Sequence, residues 1–354
     1  MRYVRQLDGI RALAVLAVVG LHANLPGMHG GGIGVDVFFV LSGYLITSIL
    51  LREISSTGRI DRSKFYVRRA LRLLPALVVA IVWTAVLDIA AARGGGHIAA
   101  AAPAALFYYA NWLVSFRPDA LGFLGQTWSL AIEEQFYILW PLLLLIGAVR
   151  RNLTRWIPAF LVATVALRLV AFKIEGSGVL TWTPARTDEL AIGAWLAALE
   201  LRRAPLPRLL VSPGMAWAAT GVLGVAFLSF ARVSGLAVAG GFIDVACLAT
   251  MIVIAHAAHG TSLLTRVLGW SPLVAVGRVS YGIYLYHYAI LIYLRANSSS
   301  EAKIIGVGLP VTALLTVTSW FLIERPALRL KMRIARSPAL HPEPGLLPIE
   351  ASST

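Results

Sequence analysis

Apolar side chains in this chain are gathered into runs of the length that crosses a bilayer as helix, roughly 17–25 residues. They lie near 10–26, 33–51, 73–92, 127–149, 156–174, 187–201, 212–230, 236–257, 273–294 and 304–323. The run at 187–201 is short. A further stretch, 98–116, is Ala-rich and broken by Pro103 and Asn111. The pattern predicts an all-α, polytopic membrane bundle with ten or eleven crossings.

Basic residues choose between those counts, because one crossing more or fewer inverts every later loop. With 98–116 kept as a re-entrant or outer-surface segment, 21 of the 31 Lys and Arg fall inside. These sit in the N-terminus, the loop 52–72, the segments with Arg150, Arg151 and Arg155 and with Arg202, Arg203 and Arg208, at Arg266, and in the tail. Seven fall outside, and Arg11, Arg168 and Arg278 stay within spans. If 98–116 crossed, the later Arg-rich loops and the tail would face outward. The expectation is ten transmembrane helices with both termini cytoplasmic: one membrane domain over 1–330 and a tail over 331–354. Within that tail, 337–354 carries four prolines and ends in Ser-Ser-Thr, which predicts disorder.

Composition agrees with this class. The 354 residues are 58% hydrophobic and 14% charged, with mean hydropathy +0.77, which is too apolar for a soluble protein. A net charge of +14 would suggest nucleic acid as the partner of a soluble chain. Here the basic residues flank apolar runs, where they orient the protein and meet anionic lipid headgroups, so nucleic acid is not expected. The lone cysteine, Cys247, excludes an intramolecular disulfide and a thiol metal cluster. Arg2 and Arg5 ahead of the first run imitate a signal peptide, but no clear small-residue cleavage site follows Leu21, so the run is read as a retained first helix.

Arg11 and His22 bracket ten residues without a polar side chain. On a helix they share a face, roughly 16 Å apart along the axis. An ionisable group inside a span costs about 2.5–3.5 kcal/mol and persists mostly where it faces a polar interior. Either both groups are interfacial, Arg11 snorkelling and His22 at the far end, or they face a site. Next, Gly30 to Gly34 allow close backbone approach, and Asp36 stands at the same end of the second helix as His22. Asp36 either caps that helix or orients the imidazole. Arg68, Arg69 and Arg72 share a helical face on the cytoplasmic side, suited to phosphate or serving as plain flanking charge. Trp128, Ser129, Glu133 and Glu134 open a span, where buried acids are hard to explain as packing. Arg186 and Asp188, then Tyr284 and His287, follow, and the latter two can face one cavity. Glu324-Arg325-Pro326 reads as helix termination. His256 and His259 have a metal-like gap with no further Cys or His nearby, and no metal is expected.

The ordered set of motifs resembles the membrane-bound acyltransferase family 3, integral O-acyltransferases that modify carbohydrates, cell-surface polymers and macrolides. The resemblance runs from about Leu7 to Leu330. Arg11 and His22 match the family's Arg-x10-His signature, which implies His22 as catalytic base. Arg69 and Arg72 match its Arg-x-x-Arg motif, implicated in handling acyl-CoA. Asp36, Ser42, Trp128, Ser129, Glu133, Tyr284 and His287 are similar to its other recurrent positions. What the resemblance implies is transfer of a short acyl group, acetyl by family habit, from acyl-CoA to a hydroxyl of a glycan or macrolide, in the bacterial cytoplasmic membrane. Some members carry a fused extracytoplasmic esterase-like domain, and this chain is expected to end before one. The rival class is a transporter or flippase for a lipid-linked sugar, against which stand the lack of a visible inverted repeat and the crowding of charge into the first third.

Overall fold

The computed structural model describes residues 3–91, 96–201, 206–297 and 300–336, and among them every regular element is helical. The main elements are α1 (Arg5–His22), α2 (Ile33–Thr57), α3 (Arg62–Ala90), α4 (Gly96–Leu106), α5 (Ala110–Phe116), α6 (Thr127–Leu145) and α7 (Leu153–Glu175). After them come α8 (Thr183–Glu200), α9 (Pro213–Ser229), α10 (Ile243–His259), α11 (Ser280–Ala296), α12 (Leu309–Ser319) and α13 (Arg325–Arg336).

Among the described residues, six helical stretches are long and apolar enough to cross a membrane: Ile33–Thr57, Arg62–Ala90, Leu153–Thr181, Pro213–Arg232, Gly235–His259 and Glu301–Leu330. Four shorter helices, α1, α6, α8 and α11, cover four more of the apolar runs with 17 to 19 residues each. The stretch 98–116 is split into α4 and α5, of 11 and 7 residues. They are separated by a turn in which Tyr108 takes a φ of 57°. At 1.5 Å per residue neither approaches the ~30 Å hydrocarbon core. The expected stop at Pro326 does not occur. A π turn over Trp320–Glu324 carries the helix past it into α13, which runs to Arg336 and so into the stretch 331–354. Residues 337–354, expected to be disordered, lie outside the described residues.

Side-chain exposure identifies the solvent. On α3, Val78, Val82, Val86 and Ile89 form a stripe at helical spacing and stay 46% to 70% exposed. Leaving such side chains in water would cost roughly 1.5–3 kcal/mol each, so the stripe faces lipid. The protein is a multi-pass helical membrane protein.

Inward, small residues set the helix approach. A Cβ on Gly43 would lie 1.9 Å from the Leu190 carbonyl oxygen, and one on Gly193 equally close to that of Val40, so α2 and α8 cross backbone to backbone. Around that crossing, Val40, Leu41, Ile192, Leu196, Cys247 and Ile254 form one buried cluster joining α2, α8 and α10. Phe39, Ile46, Ile132 and Phe136 join α2 to α6, and Leu77, Ala104, Leu130 and Leu285 join α3, α4, α6 and α11. The polar residues gather where these clusters leave space between α1, α2, α3, α6 and α11.

Candidate active site

Three cavities lie in line. The first, about 680 Å³, opens between the end of α2 and the start of α3 and is lined by Arg52, Arg59, Lys64, Arg68, Arg69 and Arg72. Ile46, Ile49, Arg69 and Arg72 also wall the second, a neck of about 200 Å³ that holds Arg11, Ser42, Ser129 and Glu133. Val35 and Tyr284 pass from the neck into the third, about 950 Å³, where His22, Asp36, Gln126, Trp128, Arg186 and Tyr288 stand. The shared walls place the three cavities next to one another, from a basic entrance to the histidine.

Charge along the path is unevenly matched. Arg69 is bound at 3.1 Å to Glu134, and its guanidinium lies 3.2 Å from the centre of the Tyr137 ring. Glu133 accepts from the Ser42 hydroxyl and, at 3.3 Å, from Tyr137. Arg11 and Arg72 line the neck, and among the described residues neither makes an ion pair or a side-chain hydrogen bond. Glu133 lines the same neck without reaching either guanidinium at ion-pair distance, and two such guanidiniums beside an enclosed space favour a further anion there. Of the three arginines expected to hold phosphate, Arg68 is thus at the entrance, Arg69 is neutralised, and Arg72 is available in the neck.

At the far end, α1 places His22 against α11. Its Nδ1 is 3.0 Å from Nε2 of His287, whose Nδ1 is 3.0 Å from the Ile283 carbonyl oxygen. The Tyr288 ring meets His22 edge-on at 4.9 Å. The Ser129 hydroxyl meets that of Tyr284 at 2.6 Å, and the Tyr284 hydroxyl donates to the Gln126 carbonyl at 3.1 Å, which pins Tyr284 between neck and outer cavity.

Two expectations need correction. Asp36 shares the outer cavity with His22, but its carboxylate is bonded at 2.5 Å to Arg186, so it does not orient the imidazole. His287 was expected to face a cavity with Tyr284, and instead it is fully buried against His22. Trp128 lines the outer cavity, with the Arg186 guanidinium 5.5 Å from its ring. Tyr288 and Gln126 were missed, since neither carries a charge that marks it within an apolar run. His256 and His259 bond to different groups, His256 to the Val211 carbonyl and Ser262, His259 to Glu200.

A second charged cluster lies beside the path. Arg186 also pairs with Glu189, 2.7 Å away. Arg168 on α7 is buried, donates to the carbonyls of Ala185 and Ala239, and pairs with Asp188 at 2.9 Å and with Asp244. Arg168 was legible as a charge inside an apolar run and Arg186 as one just ahead of a run; their partners were not.

Comparison with known proteins gives a concordant result. An acyltransferase-domain family matches residues 4–324. YrhL of Bacillus subtilis, named as a candidate peptidoglycan O-acetyltransferase, is 36% identical over 353 residues, covering 92% of this chain and 55% of the relative. The O-acetyltransferase OatA of Staphylococcus aureus is 33% identical over 352 residues, covering 92% and 57%. The chain therefore spans about half the length of these relatives. No solved structure matches it.

Proposed function

The chain belongs to the acyltransferase-domain family, and from that premise we propose that it is a membrane O-acyltransferase moving a short acyl group from acyl-CoA to a glycan hydroxyl. The observation that carries this reading is the line of cavities from the arginine-lined entrance through the neck to His22. In the proposed topology ten helices cross the bacterial cytoplasmic membrane with both termini inside, so the basic loop 52–72 and the entrance open to the cytoplasm, where acyl-CoA is found. Arg68 and the entrance collect the nucleotide end of the donor. Arg11 and Arg72, free of carboxylate partners, hold a phosphate in the neck. From Arg11 to His22 is roughly 16 Å along α1, which is the reach of an extended pantetheine arm.

The acceptor enters the outer cavity, where Trp128 and Tyr288 offer aromatic faces and Asp36, Gln126 and Arg186 polar edges. The relatives' names favour an acetyl donor, and the YrhL name favours peptidoglycan or a similar cell-wall glycan over a macrolide. His22 takes the hydroxyl proton as the oxygen attacks the thioester carbonyl. The C–S bond breaks, the imidazolium returns the proton to the departing thiolate, and an ester and free thiol result. A positioned base of this kind is worth roughly 100- to 10,000-fold in rate.

The test uses the full chain in membranes with radiolabelled acetyl-CoA and a muropeptide or polysaccharide acceptor. Label should pass to the acceptor in an alkali-labile ester, with thiol released only when acceptor is present. His22→Ala should abolish both while the protein remains folded in the membrane. Full transfer by that variant would remove His22 from the site, and sugar movement across the membrane without thiol release would replace the enzyme by a carrier.

A further inference from the structure

The contacts around His22 determine which of its nitrogens is the base. The Ile283 carbonyl can only accept, so the His287 Nδ1 that meets it at 3.0 Å carries a hydrogen. His287 is fully buried on α11 against the rings of His22, Tyr284 and Tyr288, so in its neutral form Nε2 is left as an acceptor. The only nitrogen facing that acceptor is Nδ1 of His22, 3.0 Å away, which must therefore be the donor. What remains is His22 Nε2, which carries a lone pair, on a residue that lines the outer cavity; the backbone of Val18, one turn back, also meets the His22 ring.

We infer that His287 is a positioning residue that locks His22 in its Nδ1–H tautomer, leaving Nε2 as the proton-accepting atom. Free imidazole in a histidine side chain prefers the opposite tautomer, with the hydrogen on Nε2, in which that nitrogen cannot act as a base. The pair does with a second imidazole and a backbone carbonyl what a carboxylate does behind a catalytic histidine elsewhere: it sets orientation and tautomer. When Nε2 takes the acceptor's proton, the hydrogen bond from Nδ1 to His287 shares the positive charge over two rings without a buried anion.

The inference rests on the acyl-transfer reading for its consequence, though not for its measurement. Protein labelled with ¹⁵N-histidine in lipid nanodiscs, without substrate, is read by solid-state NMR, which separates protonated from bare ring nitrogens. Signals are assigned by difference against His22→Gln and His287→Leu. Both residues should show a protonated Nδ1 and a bare Nε2, and in His287→Leu the His22 hydrogen should move to Nε2. A protonated Nε2 on His22 in the unaltered protein, or an unchanged tautomer in the variant, overturns the inference whether or not acyl transfer is ever observed. In the transfer assay, His287→Leu should lower kcat about 100- to 10,000-fold with KM for acetyl-CoA unchanged. His287→Gln, whose side-chain oxygen can stand where Nε2 was, should recover at least tenfold of that. Equal loss in Gln and Leu variants, or no loss in Leu, would reduce His287 to packing.

Discussion

Arg168 and Arg72 are both guanidiniums on long apolar helices, and their surroundings are opposite. Arg168 on α7 is fully buried, with four of its five N–H donors taken by two carboxylates and two backbone carbonyls. Arg72 on α3 borders two cavities and, among the described residues, has no carboxylate at ion-pair distance. A buried charge neutralised by carboxylates from other helices holds those helices together. One left open beside a cavity costs free energy that only a ligand returns. The cluster of Arg168, Asp188 and Asp244 ties α7, α8 and α10 into a scaffold, whereas Arg11 and Arg72 stand beside the neck without an ion pair among the described residues.

The sharpest way to break this contrast is to neutralise one arginine of each kind. Arg168→Met strands Asp188 and Asp244 without a countercharge, and removing one partner of a buried pair costs about 3–5 kcal/mol. The variant should show a large loss of folded protein in detergent, read by fluorescence size-exclusion and thermal melting. Wild-type stability in that variant would end the division between scaffold and site.

Arg72→Gln should do the reverse. It should melt at or near the wild-type temperature and raise KM for acyl-CoA roughly 10- to 100-fold, the worth of one charge-assisted hydrogen bond at about 1.5–3 kcal/mol, with little change in kcat. A fall in kcat at constant KM would instead place Arg72 at the reacting carbonyl.

A smaller effect sharpens the picture at the rim. Arg68 reaches only the entrance cavity, where salt screens it. Arg68→Ala should raise KM for acyl-CoA by no more than about fivefold, equivalent to at most ~1 kcal/mol. The difference from wild type should shrink as salt approaches ~1 M, where screening acts within about 3 Å. A salt-independent defect would put Arg68 deeper than the entrance.

Much of the site could be read from the chain because membrane helices make polar residues conspicuous. Arg11, His22, Asp36, Glu133 and Arg168 each interrupt an apolar run, Arg186 stands just ahead of one, and all prove to be at or beside the cavities. The reading faltered where the question was one of pairing. Asp36 stands at the right end of α2 to meet His22, yet Arg186, 150 residues on, takes its carboxylate. Arg69 looked equivalent to Arg72, yet Glu134 faces only the former. Tyr288 gave no signal, since a tyrosine among Tyr281, Tyr284 and Tyr286 differs from its neighbours only in the direction it faces.

Membrane class, helical content and the residues worth suspecting follow from the order of amino acids, because the cost of placing each side chain in hydrocarbon accrues residue by residue along a span. Which arginines are neutralised, which ring His22 meets, and which cavities share walls are matters of three dimensions. Each depends on side chains from helices far apart in the chain meeting within about 3 Å, as His22 and His287 do across 265 residues, and helix packing alone sets those meetings.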